Sequence, residues 1–73
     1  MDLKRLRTFV AVAEQGTVSS AAEMLRITQP ALSRQLQDLQ AEFGVPLFDQ
    51  AGRRLRLTAE GIGYWVMALR EKP

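Results

Sequence analysis

The groups in this chain that could do chemistry are hydrogen-bond donors rather than catalysts. The 73 residues include no cysteine and no histidine, so thiol chemistry, the commonest general base and the commonest metal ligand are absent. The carboxylates Asp38, Glu42, Asp49 and Glu60 are scattered along the chain without a pocket-like grouping. Because a catalytic site needs several such groups converging, we expect neither an enzyme nor a metal site.

One stretch, from Thr28 to Gly44, places its polar groups on a single face. At about 100° of rotation per residue it forms a helix whose apolar stripe is about 40° wide. That stripe consists of Leu32, Leu36, Leu39 and Phe43, and the opposite face consists of Pro30, Ser33, Arg34, Gln37 and Ala41. A merely solvated face would normally carry Lys and Glu. Short donors around one arginine instead suit the edges of base pairs in the major groove of DNA.

Several of these side chains have alternative roles. Arg34 could donate two hydrogen bonds to a guanine or one to a phosphate. Gln29 could pair with adenine, contact a phosphate or only help to cap the helix, and Ser33 could reach a base or a phosphate. Pro30 offers an apolar surface to a thymine methyl group, although helix initiation is its simpler role. Gln37 lies one turn further along and at the limit of reach to the bases.

The densest positive charge follows that helix, at Arg53, Arg54 and Arg56. Pro46 ends the helical pattern, and Leu55-Arg56-Leu57 alternates as a half-buried strand does. Residues 49–53 contain a glycine and suit the turn of a hairpin that has Arg53 and Arg54 at or near its tip. Such a cluster is either a solvated hairpin or a wing that grips phosphate or enters a minor groove.

Two further helices must position these groups. Leu3, Leu6, Phe9, Val10 and Ala13 predict a first helix from Met1 to Gln15, which starts near Asp2 and ends at Gly16. A second helix runs from Thr17 to Arg26 and is capped by Thr17 or by Ser20. It packs inward through Ala21, Ala22 and Leu25. The next helix is capped by Thr28 or Gln29, and this spacing is typical of a helix-turn-helix, with Ile27 beneath the turn.

The last helix starts at Thr58 and is apolar around most of its circumference. Its main stripe consists of Ile62, Trp65, Val66 and Leu69, and Tyr64, Met67 and Ala68 widen it. A helix this apolar needs cover on more than one side, so we expect one side to pack on the domain and the other to meet a second copy. Gly61 and Gly63 cost about 1 kcal/mol each against alanine and predict a loose first turn.

Bulk properties fit one small domain. The apolar fraction is 47% and the formal net charge is +2, which suits a folded globule with a weak basic excess. The longest apolar runs are far short of about 18 residues, and a secretory signal pattern is missing, so we expect no membrane span and a cytoplasmic location.

Several separated motifs then resemble one family in order and spacing. These are AAEML, TQPALSRQLQDLQ, GVPLF and GRRLRLTAEG, and together they are similar to the N-terminal DNA-binding domain of the LysR-type transcriptional regulators of bacteria. The resemblance implies a mainly α, winged helix-turn-helix fold: a three-helix core, a two-stranded β wing and a fourth helix leading into a linker and dimerisation helix. It divides the chain into a DNA-binding domain, 1–57, and the start of that linker helix, 58–73.

The resemblance also implies sequence-specific binding to double-stranded DNA. The recognition helix, about 29–43, would lie in the major groove and the arginine-rich wing on the minor groove or the backbone. The implied DNA-binding residues are Thr28, Gln29, Pro30, Ser33, Arg34 and Gln37 on the recognition helix, Arg53 and Arg54 on the wing, and Thr17, Ser19 and Ser20 for phosphate near the second helix.

Further partners are implied for the full-length parent. The fourth helices would pair through Ile62, Trp65, Val66 and Leu69 into a homodimer, and dimers would form a tetramer. An effector domain, absent from this chain, would bind a small-molecule coinducer, whereas this domain needs no cofactor. RNA polymerase is a further candidate partner, and activation and repression both stay open. YWVMAL is more apolar than the family pattern suggests.

A rival interpretation is a helical protein–protein adaptor. It would need an apolar outer face on the Thr28–Gly44 helix, and Ser33, Arg34 and Gln37 do not provide one. Salt-sensitive binding to bulk DNA would separate the two interpretations.

Overall fold

The computed structural model describes residues 3–71, which form a mainly helical fold with one small sheet. The elements are α1 (Leu3–Gln15), α2 (Val18–Leu25), α3 (Gln29–Phe43), β1 (Phe48–Ala51), β2 (Arg54–Leu57) and α4 (Ala59–Glu71). This is the predicted winged helix-turn-helix architecture. The predicted start of the first helix at Met1 and Asp2 lies outside the described residues.

The core forms where the first three helices meet the root of the hairpin and α4. Its largest fully buried side chains are Phe9, Val12, Leu32, Leu39 and Leu47. Ala21 and Ala22 are also buried, and small side chains there let α2 approach its neighbours closely. The rings of Phe48 and Tyr64 lie 5.2 and 4.4 Å from that of Phe9, so one aromatic cluster joins the hairpin and α4 to α1.

Two members of the apolar stripes predicted for α1 and α3 lie outside this core. Leu3 is 70% exposed and Phe43 is 40% exposed, because each sits at an end of its helix. Leu6 and Ala13 are only partly buried. Phe43 still contacts Tyr64, at 4.8 Å between ring centroids. The predicted stripes are therefore correct in their central turns and too long at these ends.

Threonines cap the second and third helices. The Thr17 hydroxyl accepts a hydrogen bond from the backbone N–H of Ser20 at 3.1 Å, so Thr17, and not Ser20, is the cap of α2. The Thr28 hydroxyl accepts from Ala31 N–H at 3.2 Å. Between these helices, Arg26 has a φ of 59°. It takes the left-handed conformation that a glycine often supplies in such turns.

The hairpin is tighter than residues 49–53 suggested. The strands are antiparallel, and the pair Ala51 and Arg54 closes a turn of only two residues, Gly52 and Arg53. Residues 49–51 therefore belong to β1. Gly52 has a φ of 65°, which two-residue hairpin turns favour. In β2, Leu55 and Leu57 are half-buried while the arginines between and before them are exposed, as predicted from their alternation.

A backbone segment, 46–48, is bonded from two sides. The Gln40 side-chain carbonyl accepts from Leu47 N–H at 2.8 Å and Phe48 N–H at 3.1 Å. From the other side, Thr58 N–H donates to the Leu47 carbonyl at 3.0 Å. The Thr58 hydroxyl donates to the Pro46 carbonyl at 2.8 Å. We call this segment, its bonding partners Gln40 and Thr58, and the adjacent Gly61 the Leu47 junction.

The first turn of α4 is packed against this junction and is not left loose by its glycines. The Thr58 hydroxyl also accepts from Gly61 N–H at 3.0 Å and so caps α4. A Cβ placed on Gly61 would lie 2.1 Å from the Leu47 carbonyl oxygen. Gly61 is thus required by close approach, whereas a Cβ on Gly63 would meet open space.

Candidate nucleic-acid interface

The outer face of α3 presents its polar side chains to solvent. Gln29, Pro30, Arg34 and Gln37 are exposed and Ser33 is half-buried. Within residues 3–71, no hydrogen bond or ion pair involves the side chains of Gln29, Ser33, Arg34 or Gln37. The donors of this face are therefore available to a partner. Thr28 lies at the same end, but its hydroxyl oxygen already caps the helix.

Contacts on both flanks hold α3 so that this face stays outward. On one flank, the Thr8 hydroxyl donates to the Gln35 side-chain carbonyl at 2.6 Å, and Arg5 forms an ion pair with Glu42. On the other flank, Gln40 belongs to the Leu47 junction. Sequence reasoning missed these contacts, although Gln35 and Gln40 lie at the borders between the apolar stripe and the outer face, where such groups are needed.

The wing carries exposed arginines in different settings. Arg53 occupies the turn, as predicted. Arg54 follows it in the backbone, but its guanidinium turns back over the corner between α1 and α2, where a Cβ on Gly16 would lie 2.3 Å from its Nη2 atom. The adjacent Leu55 N–H donates to the Gly16 carbonyl at 2.8 Å. The root of the wing is thereby attached to that corner.

The same corner contains the start of α2. Ser19 and Ser20 are exposed there, and Thr17 is half-buried as the cap. A helix N-terminus with free N–H groups favours an anion, and the Arg54 guanidinium over Gly16 adds positive charge beside it. The arrangement fits a phosphate. Contact between these residues and DNA stays a prediction.

Acidic side chains do not gather into a site within the described residues. In the range 3–71, no three Asp or Glu side chains lie close enough to share a metal ion. Glu42 is engaged by Arg5, and Asp49 and Glu60 are exposed on different elements. The described helices are also too short or too polar to cross a membrane.

The outward side of α4 is apolar. Ile62, Val66, Met67 and Leu69 are between 45% and 59% exposed; we call these four residues the α4 patch. Tyr64 and Ala68 are buried instead. Of the predicted dimerisation residues, Ile62, Val66 and Leu69 therefore lie in the patch.

Trp65, the fourth of them, lies at the border between the patch and the core. It is half-buried, and its ring centroid is 6.0 Å from that of Phe9. Part of its apolar surface is thus already used within the chain. Pairing through α4, and the division of the chain at residue 57, stay predictions.

Known proteins resemble this chain over most of its length. Residues 3–62 match the family described as bacterial regulatory helix-turn-helix protein, lysR family. ClcR of Pseudomonas putida, an HTH-type transcriptional regulator, is 46% identical over 61 residues, which are 84% of this chain and 21% of ClcR. BenM of Acinetobacter baylyi, another such regulator, is 41% identical over 96% of this chain and 23% of its own length. The chain thus spans about a fifth of these relatives.

Solved structures support the same family relationship. The CbnR DBD–DNA complex has a TM-score of 0.88 at 40% identity, covering 96% of this chain and 80% of that one. The complex of the BenM DBD with benA site 1 DNA has a TM-score of 0.89 at 41% identity, covering 96% of this chain and 79% of that one. The chain therefore belongs to the lysR family of bacterial regulatory helix-turn-helix proteins, and it is a DNA-binding domain of that family.

Proposed function

We propose that this chain binds double-stranded operator DNA sequence-specifically, as the DNA-binding domain of a bacterial LysR-type transcriptional regulator, and catalyses no reaction. The observation that carries the proposal is the outer face of α3, whose Gln29, Ser33, Arg34 and Gln37 side chains have no partner within residues 3–71. The DNA complexes of the similar CbnR and BenM domains support it.

In this mechanism α3 enters the major groove with its N-terminal half toward the bases. Arg34 points from the exposed face and donates two hydrogen bonds to a guanine. Gln29 and Ser33, near the start of the helix, contact an adjacent base or a phosphate. Pro30 begins the helix and places its ring against the base edges, and Gln37 lies furthest from them. Thr28 contributes by fixing where the helix starts.

Backbone contacts fix the register without reading sequence. Arg53 at the wing turn reaches the minor groove or the phosphates beside it. Arg54 and the start of α2, with Thr17, Ser19 and Ser20, receive a phosphate at the corner between α1 and α2. These groups lie on separate elements that the bond from Leu55 to Gly16 ties together.

A homodimer completes the proposal. The α4 patch is covered by the same patch of a second copy, so the 58–73 segment acts as the beginning of a dimerisation helix after a DNA-binding domain at 1–57. Two copies related by two-fold symmetry read a pseudo-palindrome. In a full-length parent, an effector domain would bind a small-molecule coinducer, dimers would form tetramers and RNA polymerase would be a partner. The compartment is the bacterial cytoplasm.

Selection of bound sequences from random duplex DNA, at a defined salt concentration, tests the proposal. The chain should enrich one motif with two inverted halves, and binding to bulk DNA should weaken steeply as salt rises. A pool that stays random after repeated rounds, with DNA binding insensitive to salt, would contradict the proposal. That outcome would favour a helical adaptor for another protein.

A further inference from the structure

The Leu47 junction connects the elements that would touch DNA with the helix that would join two copies. Gln40 of α3 binds the N–H groups of Leu47 and Phe48, and Phe48 is the first residue of the wing. The carbonyl side of the same segment faces Thr58 and Gly61 at the start of α4. We propose that this junction determines which spacing between operator half-sites the dimer accepts. The inference rests on the proposed dimer.

The first step is that the junction leaves α4 little freedom to tilt. Three hydrogen bonds of Thr58 fix the first turn: its N–H to Leu47, its hydroxyl to Pro46 and its hydroxyl from Gly61. Gly61 lies so close that an added Cβ would be 2.1 Å from the Leu47 carbonyl oxygen and 3.1 Å from the Leu57 Cδ2 atom. A carbonyl oxygen in the backbone cannot rotate away as a side chain can. Any side chain at position 61 must therefore force α4 and the Leu47 segment apart.

The second step is that a small tilt at the junction displaces the far end of α4 by a few ångströms. With a rise of 1.5 Å per residue, the α4 patch extends about 12 Å beyond Gly61. A tilt of about 10° at the junction would move the far end of the patch by roughly 2 Å relative to α3. Two-fold symmetry applies the same tilt to the second copy, so the displacement between the two recognition helices is larger still.

The third step is that the preferred half-site spacing depends on this displacement. A dimer of helix-turn-helix domains binds half-sites whose centres lie at a fixed distance along the duplex. One base pair adds about 3.4 Å to that distance and rotates the second half-site about the DNA axis. A change of a few ångströms between the reading helices is therefore enough to favour another spacing, while the contacts within each half-site stay unchanged.

Two glycines of α4 provide a matched test. Gly61→Ala adds a methyl group at the junction, and Gly63→Ala adds the same group to the same helix where nothing lies within 4 Å. Thr58→Val, which removes both hydroxyl contacts but retains the backbone bond, is a second junction variant. The purified chains are titrated with duplexes carrying one selected half-site, or two half-sites at a series of spacings. Circular dichroism reports whether each variant is folded.

We expect the wild-type chain and Gly63→Ala to bind cooperatively with the same preferred spacing. Gly61→Ala should shift that preference by about one base pair or lose the cooperative gain, and Thr58→Val should broaden it. All four proteins should bind the single half-site within about twofold of one another, because the reading face is unchanged. If Gly61→Ala fails to fold, Thr58→Val decides the question.

Other outcomes would overturn the inference in distinguishable ways. A folded Gly61→Ala or Thr58→Val chain that keeps the wild-type spacing preference would refute the junction alone and leave the proposed function intact. A shift shared by Gly63→Ala would assign the effect to α4 itself, through its stiffness or through the contact of its exposed face with the second copy, and would refute the junction. Absence of cooperativity in the wild type at every spacing would refute the dimer together with this inference. Failure to bind the single half-site would refute DNA reading itself.

Discussion

Helices α3 and α4 differ in what they leave outside, although both pack one side on the core. The outward side of α3 carries Ser33, Arg34 and Gln37, which offer hydrogen bonds, and the outward side of α4 carries the apolar α4 patch. A polar groove lined by base edges suits the first surface and excludes the second. An apolar protein surface suits the second. Burial alone therefore distinguishes the free surfaces from the packed ones, whereas the chemistry of each free surface indicates its partner.

The largest effect should come from placing charge in the α4 patch. Val66→Asp would bury an unpaired carboxylate in the dimer, so we expect its dissociation constant to rise on the order of a hundredfold. Sedimentation measures this, and binding to a single half-site should be retained. Arg7→Gln lowers net charge by the same amount at an exposed position on α1. A Val66→Asp chain that dimerises like the wild type would mean that the α4 patch does not meet a second copy.

The outer face of α3 is tested by Arg34→Ala. We expect a loss of about 1–3 kcal/mol at the selected site and relaxed preference at one base pair, since a bidentate contact to a guanine is removed. Titration of the selected duplex and of its single-base variants measures both. Arg7→Ala, on α1, removes the same charge and should cost less. Equal weakening on random DNA would instead assign Arg34 to a phosphate.

Some polar side chains of α3 stabilise the fold and others stay exposed. Gln40 and Gln37 provide one example of each. Gln40→Ala leaves the N–H groups of Leu47 and Phe48 without their acceptor, so the free energy of unfolding should fall by about 1–3 kcal/mol. Gln37→Ala removes an equal side chain from the exposed face and should leave stability unchanged. Denaturant unfolding of both variants provides the measurement. Equal stabilities for the two would show that Gln40 contributes nothing to holding the helix.

A smaller effect is expected at the wing. Arg53→Ala should weaken binding to all sequences alike and reduce the slope of log affinity against log salt by about 1, because one phosphate contact is lost. Affinities over a range of salt concentrations measure that slope, with Arg7→Ala again as the control. If the slope does not change, the wing turn lies outside the interface.

The smallest effect concerns α4 itself. Gly63→Ala should raise the free energy of unfolding by about 0.5–1 kcal/mol, because alanine restricts the unfolded chain and its methyl group meets open space. Thermal unfolding monitored by circular dichroism detects the change. A destabilised Gly63→Ala chain would mean that α4 packs more closely at this point than the structure indicates.

The helix starts and the wing strand could be predicted from local sequence, because the residues that determine them lie within or next to these elements. Thr17 and Thr28 stand just before periodic runs, which is where caps act, and Leu55 and Leu57 alternate with arginines within one strand. Those features could be predicted without knowing any contact between distant residues. The same holds for the outward face of α3, since rotation per residue alone separates Arg34 from Leu36.

The remainder depends on pairs that are far apart in the chain. The sequence neighbours of Gln40 do not indicate that it accepts from Leu47. Judged from local sequence, Gly61 is only a poor helix former. Helix α4 is apolar nearly all round, so periodicity could not tell that Tyr64 and Ala68 face the core while Ile62 faces outward. The Arg54 guanidinium lies over Gly16 only because the hairpin folds back onto the α1–α2 corner.

The hydrogen bond from Leu55 to Gly16 has a consequence for the nucleic acid rather than for the protein. By joining the hairpin to the helical body at 2.8 Å between nitrogen and oxygen, it limits movement of the wing relative to the helices. We therefore expect much of the adjustment on binding to come from bending and twisting of the duplex. Steps that kink easily, such as TA and CA, would be favoured between the halves of the operator even where no side chain touches them.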